Sequence, residues 1–170
     1  MIKNKLITIT TALLLGVILS GCGKSDSSGS ASSAKAAAEP KATPDTFIII
    51  EANDKMKFNK ESFTVGSGDT VQLTLKNVGT MPKFSMGHNV VILEKGSSGK
   101  EFAEAAMNSA ASDYIPATKT GEIVAHTKLL GGGEEDTIVF VAPSSKGEYP
   151  FICSFPGHFQ VSMKGVMHVN

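Results

Sequence analysis

The chain has 170 residues with 16 basic and 16 acidic side chains, no arginine and no tryptophan. That length suits one domain of ordinary size with terminal additions, able to bury a core without staples. With no basic excess and no basic patch, nucleic acid is excluded as a partner.

The first segment sets the compartment. Met1–Lys5 carries Lys3 and Lys5, Leu6–Leu19 is a run of 14 residues without charge, and Ser20-Gly21 leads into Cys22. This is the charged, apolar and small-residue order of a secretory signal; the run falls short of the about 20 apolar residues that span a bilayer. "LSGC" resembles the lipobox of bacterial lipoproteins, which implies cleavage before Cys22 and acylation of that cysteine. Residues 1–21 are therefore expected to be a lipoprotein signal peptide. Residues 22–44 are expected to be the lipidated cysteine and a flexible tether, because Ser, Ala, Gly, Lys and Pro without aromatic or branched aliphatic residues cannot bury enough surface to fold. As a coil the tether reaches roughly 25 Å. With Cys22 acylated, Cys153 has no disulfide partner in a compartment where cysteines are usually paired, so its thiol needs another form of protection.

Residues 45–170 form the expected domain, with 11 Lys, no Arg and 14 Asp plus Glu, a net charge of −3. "TFIIIEA" from Thr46 is rich in β-branched and aromatic residues, and "TVQLTLKN" from Thr70 alternates, with Val71, Leu73 and Leu75 on one face; both predict strands. "NVVIL" from Asn89, "DTIVFVA" from Asp136, "EYPFIC" from Glu148 and "MKGVMHV" from Met163 continue the series, separated by turn signals such as "GSGD", "GGGEED" and "PSSKGE". In "KEFAEAAMNSAA" the residues Phe102, Ala103, Ala106, Met107 and Ala110 fall on one helical face. The prediction is an all-β fold, a Greek-key β-sandwich with one inserted α-helix.

The densest chemistry lies in "CSFPGHFQVSM", residues 153–163. Cys153 ends one expected strand and Met163 begins the next, so nine residues form a loop with His158 in its middle, shaped by Pro156 and Gly157. Thiolate, imidazole and thioether together favour a soft or borderline metal, and structural zinc sites seldom use Met. Copper cycling between Cu(I) and Cu(II) fits better, but it asks for a second imidazole. His168 looks like an edge-strand residue and His126 like a structural one. His88 precedes an apolar strand and follows Gly87, which permits close backbone approach. A thiol nucleophile is the competing chemistry of a Cys/His pair, and no orienting third group accompanies it.

"MGHNVVIL", "AHTKLLGGGEEDTIVF", "CSFPGH" and "MKG", with "NDKMKFN" and "DYIP", resemble in order the corresponding stretches of the azurins, blue copper proteins of the cupredoxin family. The likeness runs from about Phe47 to Val169. It implies a single type 1 copper ion held by His88, Cys153, His158 and Met163, with the Gly87 carbonyl as a distant axial contact. It further implies that Asn89, Ser154 and Phe155 support these ligands, and that Met56, Met81, Met86, Phe155, Pro156 and Gly157 form or border an apolar docking patch around an exposed edge of His158.

Three departures stand out. Four residues separate His158 from Met163 where azurins have three, a spacing similar to that of the auracyanins; the cysteines of the azurin disulfide are missing; and Val90 stands where many azurins bury a Trp. Ser85 also replaces an apolar residue of the family's patch.

The resemblance implies electron transfer rather than catalysis on a substrate, performed by a monomer lipid-anchored on the periplasmic side of the cell envelope or at the cell surface. Its partners are expected to be redox proteins such as c-type cytochromes, copper enzymes or respiratory complexes, met transiently. The alternative is a copper chaperone or buffer of the envelope, which would use exposed Met or Cys clusters. An enzyme, such as a domain of a multicopper oxidase or nitrite reductase, would need further His ligands.

Overall fold

A computed structural model describes residues 43–170; the expected signal peptide, Cys22 and nearly all of the expected tether lie outside the described residues. Among the described residues nine strands form two mixed sheets. The first sheet has the order β2 (Lys57–Phe58), β1 (Thr46–Asn53), β4 (Thr70–Asn77), β7 (Glu135–Val141), with β1 and β4 parallel. The second has the order β3 (Ser62–Val65), β9 (Lys164–Val169), β8 (Gly147–Ile152), β5 (Val91–Leu93), β6 (Ile123–His126), with β3 and β9 parallel. The chain passes repeatedly from one sheet to the other, which is how strands distant in sequence become neighbours in a Greek key.

Period-2 alternation aims one face of each sheet inward. Ile50, Val71, Leu73 and Leu75 from the first sheet meet Phe63, Tyr149, Phe151, Met167 and Val169 from the second in one buried cluster. Phe151 packs against Phe58 and Phe63 with ring centroids 5.7 and 5.4 Å away. Val90, at the position of the family's indole, is fully buried in this cluster.

The inserted helix is shorter than its periodicity predicted. It spans Gly99–Ala106 (α2, following a one-turn helix α1, Lys83–Met86) and begins with Ser98, whose hydroxyl accepts the Glu101 amide at 3.3 Å. Phe102 and Ala103 are buried against Val91, Leu93 and Ile152 and Ala106 is buried as well, but Met107 is exposed and Ala110 opens a separate 3-10 turn, Ala110–Ser112. Beyond the last turn the Ser109 hydroxyl turns back to the Ala105 carbonyl at 3.4 Å, a bond that competes with continued helix. Among the described residues no helix is long and apolar enough to cross a membrane.

Candidate metal centre

β8 ends at Ile152 and β9 starts at Lys164, so Cys153 and Met163 flank the connecting loop and both are fully buried. The loop is tied at its neck: the Cys153 amide donates to the Met163 carbonyl and the Met163 amide to the His158 carbonyl, each at 3.0 Å. It turns through Gly157 at φ 86° and Ser162 at φ 68°. Glycine is the residue for the first of these. Lys57 donates to the Val161 carbonyl at 2.8 Å and joins the loop to β2.

His88 comes from another part of the chain. Its backbone bridges to Leu130, with the His88 amide donating at 3.0 Å and the Leu130 amide donating back at 2.8 Å. Gly87 beside it has no room for a side chain, since a Cβ there would lie 2.6 Å from the Lys83 carbonyl oxygen and 2.9 Å from Leu129. Asn89 then binds the two ligand-bearing segments together: its side-chain amide donates to the Ser154 hydroxyl and its carbonyl accepts the Ser154 amide, both at 2.8 Å.

The outcome is that ligand atoms of His88, Cys153 and His158 all lie within 4.8 Å of one another, and all three residues are buried. Cys153 Sγ is 3.4 Å from His158 Nδ1 and 3.9 Å from the Gly87 carbonyl oxygen. The His88 and His158 rings are 4.9 Å apart, centroid to centroid. His126 and His168 take no part. The first is exposed at the end of β6 with Nδ1 3.0 Å from the Thr127 carbonyl; the second sits on β9, 3.8 Å from Glu148.

Electrostatically this is an unfavourable place for polar groups in the absence of a positive ion. Burial pushes the Cys153 thiol up to about 12, against the opposing pull of the Asn89 and Phe155 backbone amides. Burial lowers His158 to about 4, with His88 adding to the effect. Burial lowers His88 as well, although the Asn53 carbonyl and the Asp54 carboxylate oppose it. Among the described residues neither His88 ring nitrogen meets hydrogen-bond geometry with any partner. Buried polar atoms are nearly always satisfied, and two orphaned imidazole nitrogens beside a buried thiol fit a soft or borderline metal bound by N and S donors.

His158 is more deeply placed than the resemblance implied, at 2% exposure. Phe155 covers it, ring to ring at 4.7 Å, and Tyr114 packs edge-on against Phe155 at 5.0 Å. Of the expected patch, Met56, Met86 and Pro156 are half-buried, while Met81 and Gly157 are exposed. Sequence reasoning missed Phe84, on α1 four residues before His88, which is 84% exposed. It also missed Asp54, whose carboxylate accepts the Thr80 amide at 2.8 Å and the Met81 amide at 3.3 Å. These bonds, Thr80 first, lower its pKa.

Residues 46–170 match the family described as copper binding proteins, plastocyanin/azurin family. Azurin of Alcaligenes faecalis is 38% identical over 127 residues, covering 72% of this chain and 96% of that one. Outer membrane protein H.8 of Neisseria meningitidis serogroup B is 41% identical over 111 residues, covering 64% of this chain and 60% of that protein. The crystal structure of dithionite-reduced auracyanin from the photosynthetic bacterium Roseiflexus castenholzii matches with a TM-score of 0.67 at 38% identity, covering 75% of this chain and 99% of that one.

Proposed function

Because the chain belongs to the plastocyanin/azurin family of copper-binding proteins, we propose that it is a one-electron carrier of the cell envelope with a single type 1 copper site. His88, Cys153 and His158 would hold the ion, with the Met163 thioether and the Gly87 carbonyl as weaker donors. Copper bound there supplies a Cu(I)/Cu(II) couple, for which a thiolate, two imidazoles and a weak thioether are the familiar set. The protein supplies rigidity: the Asn89–Ser154 bonds, the His88–Leu130 bridge and the tied loop neck hold the donors in place, so that little rearrangement accompanies a change of oxidation state.

The observation that carries this reading is the meeting of three buried donors within 4.8 Å, with the His88 nitrogens left for a metal. A single buried thiol suits a retained cofactor, whereas a copper chaperone or buffer calls for accessible sulfur. Electrons would leave through His158 and Phe155 toward the surface bearing Met56, Met81, Met86, Phe84, Pro156 and Gly157. Redox partners such as c-type cytochromes, copper enzymes or respiratory complexes would dock there over a small area and leave quickly. "LSGC" at Cys22 supports a lipid anchor, and the name of the similar outer membrane protein H.8 supports a position on the envelope.

Adding Cu(II) to the metal-free protein tests the reading. One equivalent should raise an intense visible charge-transfer band that bleaches on one-electron reduction and returns on oxidation. A colourless, readily stripped copper complex would instead identify a buffer, and turnover of oxygen or nitrite would identify an enzyme.

A further inference from the structure

We propose that the outer face of the first sheet, at the Thr46 end of β1, lies on the lipid surface and turns the metal centre away from it. This rests on the lipid-anchor reading above. Strand register places Phe47, Gln72 and Val139 in one transverse row, Ile49, Thr74 and Thr137 in the next, and Glu51, Lys76 and Glu135 in the third. The two rows nearest the start of β1 carry no charge. They expose large apolar side chains where an outward sheet face is ordinarily polar: Phe47 at 63%, Ile49 at 50% and Val139 at 44%. Within these three rows the charge sits in the third, where Lys76 pairs with Glu135 at 3.3 Å; just ahead of the first row the exposed Asp45 carboxylate accepts the Thr70 amide at 2.9 Å.

The position of this patch gives its occupant. The chain enters the domain at Thr46, directly beside Phe47, and the 23 residues from Cys22 to Pro44 link that point to the expected lipid. The metal centre lies at the opposite end of the same strands. Ala52 pairs with Asn77, and Asn77 and His88 both donate to the Leu130 carbonyl, at 3.2 and 3.0 Å. An eight-residue strand is about 25 Å long, so a domain resting on its Phe47 end presents the His158 end to soluble partners. The two uncharged rows across three strands cover roughly 200 Å², far below the about 800 Å² per partner of a stable interface between copies. A contact that small is useful to a domain already held at the bilayer by its own tether, where the local concentration is high.

The absence of Trp from the chain makes the test clean. Full-length protein carrying Phe47→Trp, or separately Phe84→Trp, is reconstituted in phosphatidylcholine vesicles whose acyl chains carry bromine as a quencher. The F47W emission should shift to shorter wavelength and lose intensity, and the F84W emission should do neither. Adding Ile49→Ser and Val139→Ser to F47W should restore the emission seen without vesicles. Quenching at position 84 but not 47, or at neither, overturns the proposal, as does a blue shift at 47 that grows with protein density and is not quenched, which would report a second copy. Mass analysis of the N-terminal peptide separates the two readings: a missing acyl group removes the anchor and this proposal together, whereas an acylated protein silent at position 47 removes this proposal alone.

Discussion

The middle of the sandwich and its metal-binding end are equally shut off from water, yet they are built on opposite principles. In the middle, Leu73, Leu75, Phe151 and Met167 fill the space with apolar atoms, and the buried Tyr149 finds a partner for its hydroxyl in the Ser145 carbonyl at 2.7 Å. At the end, His88, Cys153 and His158 bring polar and ionisable atoms into the same degree of burial, and neither His88 nitrogen meets hydrogen-bond geometry with a partner among the described residues. Each orphaned buried polar atom costs about 1–3 kcal/mol. Apolar burial explains the first region and opposes the second, so the second is intelligible only with a ligand that the donors share.

The strongest way to break this contrast is Cys153→Ser. Removing the one buried thiol among the described residues should abolish the visible copper band altogether while the domain still folds, as judged by circular dichroism; a retained band would take Cys153 out of the site. Phe151→Ala is the converse. It should cost about 3–5 kcal/mol in denaturant unfolding and leave the copper spectrum of the folded fraction unchanged.

Acid should act on the metal-binding end next. Burial holds the folded-state pKa of His158 down to about 4, below the about 6.5 of an unfolded chain. A histidine depressed in this way contributes its stability above about 6.5 and loses it as pH falls toward about 4, and His88 is lowered in the same direction. Metal-free protein should therefore lose up to about 3 kcal/mol across that window for His158. Copper-loaded protein should withstand more acid, because metal and proton compete for the same nitrogens. Chemical denaturation at a series of pH values, with and without copper, reads both.

The smallest effect is expected from His88→Leu in the metal-free state. With neither ring nitrogen in hydrogen-bond geometry and only the Asn53 carbonyl and the Asp54 carboxylate acting on the ring, unfolding free energy should change by less than about 1 kcal/mol or rise, while the stabilisation conferred by copper disappears. A large loss without metal would show that His88 is structural.

Part of this contrast was legible in the residues. Cys153, His158 and Met163 fall within eleven positions, so a single turn at Pro156-Gly157 suffices to fold them together, and Gly157 does adopt the left-handed conformation that the turn needs. His88 is 65 residues away from Cys153. No periodicity connects them, and the pairing was readable only through the likeness to azurins. Strands β2, β3 and β6 have two to four residues, too few for alternation to declare itself; their neighbours impose them. The end of α2 depended on where Ser109 turned its hydroxyl to the Ala105 carbonyl instead of continuing the helix. The depth of His158 and the exposure of Phe84 are products of how loops from different elements stack, as with Tyr114 on Phe155, and that stacking leaves no mark in local sequence.

The most direct measurement is a crystal structure of the copper-loaded protein. One ion should appear, bonded to ring nitrogens of His88 and His158 and to Sγ of Cys153, with the domain otherwise unchanged. Copper bound elsewhere, or an imidazole at position 88 turned away from the thiolate, would contradict the assignment of these three residues to one metal.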